Sequence, residues 1–132
     1  MSTIIRAAYF PLEYETSKII AAGIEIHKNL GGGFKEIVYK DAFEYEFNKR
    51  EISFEREKVY EVKYKEIILP HHFCADFVVF DKVVLEVKAK DGIADEDYAQ
   101  TINYLKCSDC PVGLIINFGK KKADIRRVLL GK

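Results

Sequence analysis

At 132 residues, 48% apolar and 13% aromatic, the chain is long enough for one buried core and too short for two comfortable domains, so it reads as a single domain. Lysine plus arginine equals aspartate plus glutamate at 21 each, which excludes a global basic field and leaves any polyanion site to a local patch. No stretch has the length of a membrane span and the opening MSTIIR lacks a secretory pattern, so a cytoplasmic protein with no membrane partner is expected.

Residues 1–15 carry Tyr9, Phe10, Pro11, Leu12 and Tyr14 with no clear period, which suits an N-terminal arm, the domain proper being 16–132. From 16 to 30, Ile19, Gly23, Ile26 and Leu30 recur at helical spacing until three glycines at 31–33 end the pattern. A second helix is predicted over 34–50, with Glu36, Tyr39 and Phe43 on one stripe, so a carboxylate shares a face with aromatics. Over 52–64, β-branched and aromatic residues alternate with charges, as in a strand wet on one side. Lys65 and Glu66 turn the chain into Ile67, Ile68 and Leu69, and Pro70 is expected to break that run.

Residues 73–80 and 82–89 read as a hairpin about Asp81 and Lys82, both arms apolar enough to lie centrally in a sheet. A third helix is predicted over 94–107, opened by Asp95, Glu96 and Asp97, whose charges suit a helix N-terminus. Pro111 precedes a core strand over 112–118, and 125–130 adds an edge. The order, without internal repeats, predicts an α/β fold: a mixed sheet flanked by helices.

The chemistry concentrates at the hairpin. Asp76 lies within an apolar strand, where a carboxylate is costly unless compensated. Alternation puts it on one face with Cys74 and Val78, with Ala75 and Phe77 on the other. Glu86 and Lys88 end the second arm and share a face, being two apart. Pairing around the turn brings Asp76 level with Glu86, so two carboxylates and a lysine converge. Such a set suits a hard divalent cation, which takes one or two carboxylates and keeps positions for water and phosphate oxygens; a buried ion-pair network without metal has the same spacing.

Asp76 followed by Glu86-Val87-Lys88 resembles the D…(D/E)xK signature of the PD-(D/E)XK nucleases. Gly33-Phe-Lys-Glu36-Ile-Val-Tyr39 matches the GxxExxY pattern of one small-protein family in that superfamily, and Gln100 to Tyr104 resembles the QxxxY element of RecB-like nucleases. The resemblance spans roughly 17–128. It implies a restriction-endonuclease-like fold and hydrolysis of DNA phosphodiester bonds by a metal-activated water. By that resemblance Asp76, Glu86 and the Val87 carbonyl would hold Mg²⁺ or Mn²⁺, and Lys88 would serve the attacking water. Glu36 would join as a further ligand or orienter, although its ordinary role is a helix N-terminal acid. Gln100 and Tyr104 would contact substrate phosphate or brace Lys88. Where the family usually shows GPG, this chain has Gly31-Gly32-Gly33.

Two rival features remain. Cys107 and Cys110, with His71 and Cys74, could assemble a zinc site, against small thiols of ordinary packing; three cysteines, an odd number, argue against a disulfide framework. Lys120, Lys121, Lys122, Arg126 and Arg127, with Lys49, Arg50 and Arg56, could track a phosphate backbone, although such runs commonly just solvate a face. Two functions follow: a metal-dependent deoxyribonuclease with weak or partner-assisted DNA binding, or a catalytically silent nucleic-acid-binding or protein-interaction module on the same fold. A homodimer would make cutting both strands of a duplex easier.

Overall fold

The computed structural model describes residues 12–130, so most of the expected arm lies outside the described residues. Two helices come first, α1 (Glu13–Leu30) and α2 (Glu36–Lys49). They are followed by β1 (Phe54–Tyr64), β2 (Ile67–Val79), β3 (Val83–Lys88), α3 (Asp95–Ser108), β4 (Val112–Phe118) and β5 (Ala123–Leu129). The five strands form one sheet in the order β1-β2-β3-β4-β5. Only β3 and β4 run parallel, and α3 is the crossover that a parallel pair requires.

Period-2 alternation divides the sheet between two cores. On one face Phe77, Val83, Leu85, Val87, Leu114, Ile116 and Phe118 pack against Ile19, Ala22 and Ile26 of α1 and Tyr39, Phe43 and Phe47 of α2. The α2 residues recur every four positions, which turns one stripe onto the sheet. Phe43 and Phe47 lie with ring centroids 6.1 and 5.5 Å from that of Phe77. On the other face Val78, Val84, Ile115 and Val128 meet Tyr104 and Leu105 of α3.

Three sequence expectations need correction. Residues 13–15 are not part of an arm: they are the first turn of α1, where Glu13 and Glu15 complement the helix dipole. Pro70 does not end a strand, because β2 runs through it. The register passes from Glu61↔His72 to Lys63↔Ile68, so three residues, 69–71, face a single one on β1; at such an irregularity proline's missing N–H costs no ladder bond.

The third correction bears on the site. Ala75 and Val78 join the α3-side core, whereas Phe77 and Val79 join the other. Alternation therefore slips once near Asp76, and Asp76 does not simply share a face with Val78. Across the ladder Arg56 pairs with Phe77 and Lys58 with Ala75, and between them Glu57 has a φ of 56°. A left-handed residue opposite Asp76 marks where both strands twist.

Glycine at 113 is required by contact. A Cβ there would lie 2.6 Å from the Thr101 methyl carbon of α3, so β4 and α3 meet at their closest approach. Gly113→Val should destabilise the protein by about 1–3 kcal/mol through overpacking. Urea unfolding checks this, the expected result being a lower midpoint with an unchanged slope.

Candidate active site

The β2–β3 ladder runs from Val79↔Val83 to Phe77↔Leu85 and would next pair Asp76 with Glu86. Side chains take over there. Glu86 Oε2 accepts from the Asp76 backbone N–H at 3.0 Å, and Asp76 Oδ2 accepts from the Val87 N–H at 2.8 Å. The two carboxylates thus stand side by side, each tied to the other's strand.

Glu86 is only 2% exposed. Its carboxyl is pushed up to about 8, by burial first and then by the Asp76 charge, against the Asp76 N–H bond and the charges of Lys88 and Lys40. Glu36, the first residue of α2, is also raised, by desolvation and then by Asp76, with Lys88, Lys40 and Lys90 opposing. Its charge is therefore coupled to this cluster across the face of the sheet.

Lys88 Nζ lies 3.4 Å from Gln100 Oε1 and 3.9 Å from Asp97 Oδ1. Asp97 also takes Lys90 at 2.6 Å and the Ala94 N–H at 2.8 Å. Burial would raise its carboxyl, but the Lys90 and Ala94 hydrogen bonds outweigh that and hold it low. Tyr104, in contrast, is 4% exposed, with its ring edge-on to Phe73 at 5.7 Å between centroids. Burial and then the Glu86 charge raise its hydroxyl.

Sequence reasoning missed Lys40. Its ammonium lies 3.0 Å from Asp76 Oδ1 and 2.6 Å from Glu57 Oε2, bridging α2 to the twisted ends of β1 and β2. Burial would lower its pKa, but the Glu57 and Asp76 contacts raise it. The signal was available, since Lys40 follows Glu36 by four residues and so shares its helical stripe. Asn117 was missed too, although it is a polar residue within the apolar run of β4. Buried, it accepts from the Lys90 N–H at 3.0 Å and donates to the Lys90 carbonyl at 2.9 Å, fixing the chain just beyond Lys88.

The tyrosine of the GxxExxY stretch acts as a clamp. Tyr39 Oη donates to the Gly31 carbonyl at 2.7 Å and accepts from the Phe34 N–H at 3.2 Å, while its ring stacks on Phe118 at 4.2 Å. The glycine loop and the start of α2, with Glu36, are thereby tied to the end of β4.

The cysteines are dispersed in role. Cys110 is buried in the α3-side core, and Cys74 Sγ lies 3.5 Å from Glu57 Oε1. Among the described residues, no three His, Cys, Asp or Glu side chains are gathered closely enough to hold a metal ion among themselves.

The family model of the PD-(D/E)XK nuclease superfamily matches residues 13–128. The chain belongs to the PD-(D/E)XK nuclease superfamily. Its members are generally nucleases, so nucleic acid is the substrate class that membership implies. No curated protein matches the chain. A solved structure titled "Crystal structure of SSO0001" is similar at 11% identity over 89% of this chain and 78% of the other, with a TM-score of 0.48, too distant to carry an argument. The α/β architecture, a mixed five-stranded sheet with helices on both faces, is that expected of a PD-(D/E)XK fold. No described helix is long and apolar enough to cross a membrane.

The raised Glu86 carboxyl has a stability consequence. Between about 4.5, its ordinary value, and about 8, the folded chain holds a proton that the unfolded chain releases. Stability from this group is full below that window and is lost as pH rises through it. Glu86→Gln, which keeps the acceptor for the Asp76 N–H, should therefore stabilise the protein at pH 8 by on the order of 1 kcal/mol or more. The gain should vanish near pH 4.5; paired urea titrations at the two pH values check it.

Proposed function

We propose that the chain is a Mg²⁺- or Mn²⁺-dependent deoxyribonuclease of the GxxExxY branch, hydrolysing phosphodiester bonds with Asp76, Glu86, Lys88 and Glu36. The observation that carries this reading is the carboxylate pair of Asp76 and Glu86 at the end of the β2–β3 ladder, with Lys88 two residues beyond. Superfamily membership supports it.

The donor set fits a hard divalent cation. It consists of oxygens, and burial leaves the Glu86 charge poorly compensated. Asp76, Glu86 and the Val87 carbonyl would hold the ion, and Glu36 would serve as a further ligand or orienter. Two carboxylates suffice where water and phosphate oxygens complete the shell. When bound, the ion supplies Lewis acidity to the phosphate and lowers the pKa of a water.

Lys88 is held by Gln100 and Asp97 at distances that leave its ammonium able to turn. It orients the attacking water and neutralises charge that builds on the phosphate oxygens during in-line displacement. Gln100, exposed on α3, braces Lys88 and can meet the phosphate. Tyr104, being buried in the α3-side core against Phe73, would brace the site rather than meet the phosphate. Lys40 fixes one oxygen of Asp76 and shields it from Glu57; a metal must share that carboxylate with it.

One observation favours the second reading, a catalytically silent nucleic-acid-binding or protein-interaction module. The Lys40 contact already compensates Asp76, as a metal-free ion-pair network would.

Cleavage of plasmid and single-stranded DNA in Mn²⁺ or Mg²⁺, stopped by EDTA, is the expected result. Asp76→Ala and Glu86→Ala should abolish it together with metal binding. Lys88→Ala should keep DNA and metal binding and lose about 10²–10⁴-fold in turnover, because its contribution is made mainly in the transition state. Purified protein that binds DNA yet cuts with neither ion, or cuts equally well as Lys88→Ala, decides for the module.

Mn²⁺ binding should also raise the melting temperature, since a ligand held only by the folded state stabilises it. The rise should be lost in Asp76→Asn and kept in Cys107→Ser with Cys110→Ser. Dependence on the cysteine pair instead would identify a zinc centre.

A further inference from the structure

Beside the proposed active site lies a cavity of about 420 Å³, walled by three separate segments. Gly33 and Phe34 come from the loop before α2, Lys90 from the chain after β3, and Lys120 and Lys121 from the β4–β5 turn. Phe34 stands two residues before Glu36 and Lys90 two after Lys88, and the Lys90 charge is felt by Glu36, so the cavity adjoins the carboxylate cluster.

The walls are rigidly joined. His27 Nε2 is 2.7 Å from the Gly119 carbonyl oxygen. A Cβ on Gly32 would lie 2.5 Å from that same oxygen and 2.7 Å from Lys120 Cα. Glycine alone lets the loop rest on the turn, which accounts for the glycine at this position. Tyr39 ties the loop from behind and Asn117 clamps the backbone of Lys90. Phe34 is nonetheless 47% exposed, held by its backbone with an aromatic face left over.

We propose that this cavity is a subsite for one unpaired nucleotide adjoining the phosphate to be cut, its base stacked on Phe34 and its own phosphate met by Lys120 and Lys121. The volume lies at the lower end of small-molecule pockets, about 300–1,000 Å³, which admits a nucleotide and not a duplex. Lys90 is already paired with Asp97, so Lys120 and Lys121 against one aspartate, Asp91, give it a local positive excess in a chain of zero net charge. An aromatic face beside cations is the combination that binds single strands without reading sequence. The subsite deepens the nuclease reading and rests on it only for its place beside the scissile bond: the enzyme would act on single strands, flaps or frayed ends in preference to intact duplex.

Binding is measured by fluorescence anisotropy of a labelled oligo-dT, the same strand with one abasic position, and a blunt duplex, in Ca²⁺, whose looser coordination suits binding without cutting. Wild type should prefer the single strand. Phe34→Ala should weaken that binding about tenfold, and Phe34→Trp should restore it. Lys120→Ala with Lys121→Ala should lower the slope of log affinity against log salt by about 0.7 for each phosphate no longer neutralised. Circular dichroism verifies that each variant is folded. Equal affinity of wild type and Phe34→Ala for the single strand, tighter binding of duplex, or no binding of any oligonucleotide overturns the subsite. Plasmid and single-strand cleavage, assayed separately, judge the nuclease reading: pocket-dependent binding without cleavage removes that reading alone, and cleavage with binding insensitive to Phe34 removes the subsite alone.

Discussion

Two hydrogen bonds at the end of the β2–β3 ladder hold the site in place. Where main-chain partners run out, Glu86 accepts from the Asp76 N–H and Asp76 from the Val87 N–H. Buried backbone donors must be satisfied, and here the groups that satisfy them are the two carboxylates of the candidate site. The strands can part without leaving orphaned donors, and the acids are fixed by strands anchored in both cores. The arrangement also opposes ionisation of Glu86, whose charge would be buried beside another of the same sign.

Three lysines stand about the cluster of Asp76, Glu86 and Glu36. Lys40 approaches from α2, Lys88 lies on β3, and Lys90 follows it. Each is itself restrained by an acid: Glu57 for Lys40, and Asp97 for Lys88 and Lys90. The short contacts belong to Lys40 and Lys90, and the long one to Lys88. The Lys88 ammonium is thus the least tightly restrained of the three.

The aromatic packing of α2 determines what the site can face. Tyr39, Phe43 and Phe47 press that helix onto Phe77 and Phe118, which sets Glu36 and Lys40 at the mouth of the parted strands. The same packing seats the glycine loop on the β4–β5 turn. A cavity results whose walls are tied to the end of β4 by Tyr39 and Asn117.

Periodicity in the sequence determined the elements and their order, since burying apolar side chains against water leaves a regular imprint: the stripe of Tyr39 and Phe43, and the apolar run of β4. Asp76, Glu86 and Lys88 were legible for the converse reason, as charges where a core strand should have none. Tertiary structure alone decided the rest. Pro70 passes through β2 because β2 carries extra residues there opposite a single one of β1, and the slip of alternation at Asp76 lies opposite the left-handed Glu57. Neither is written in the local pattern of β2. Lys40 and Asn117 make their contacts with residues 36 and 27 positions away. Such pairings are created by the meeting of helix and sheet, and a linear pattern records only which face a residue turns, not what waits on the other side.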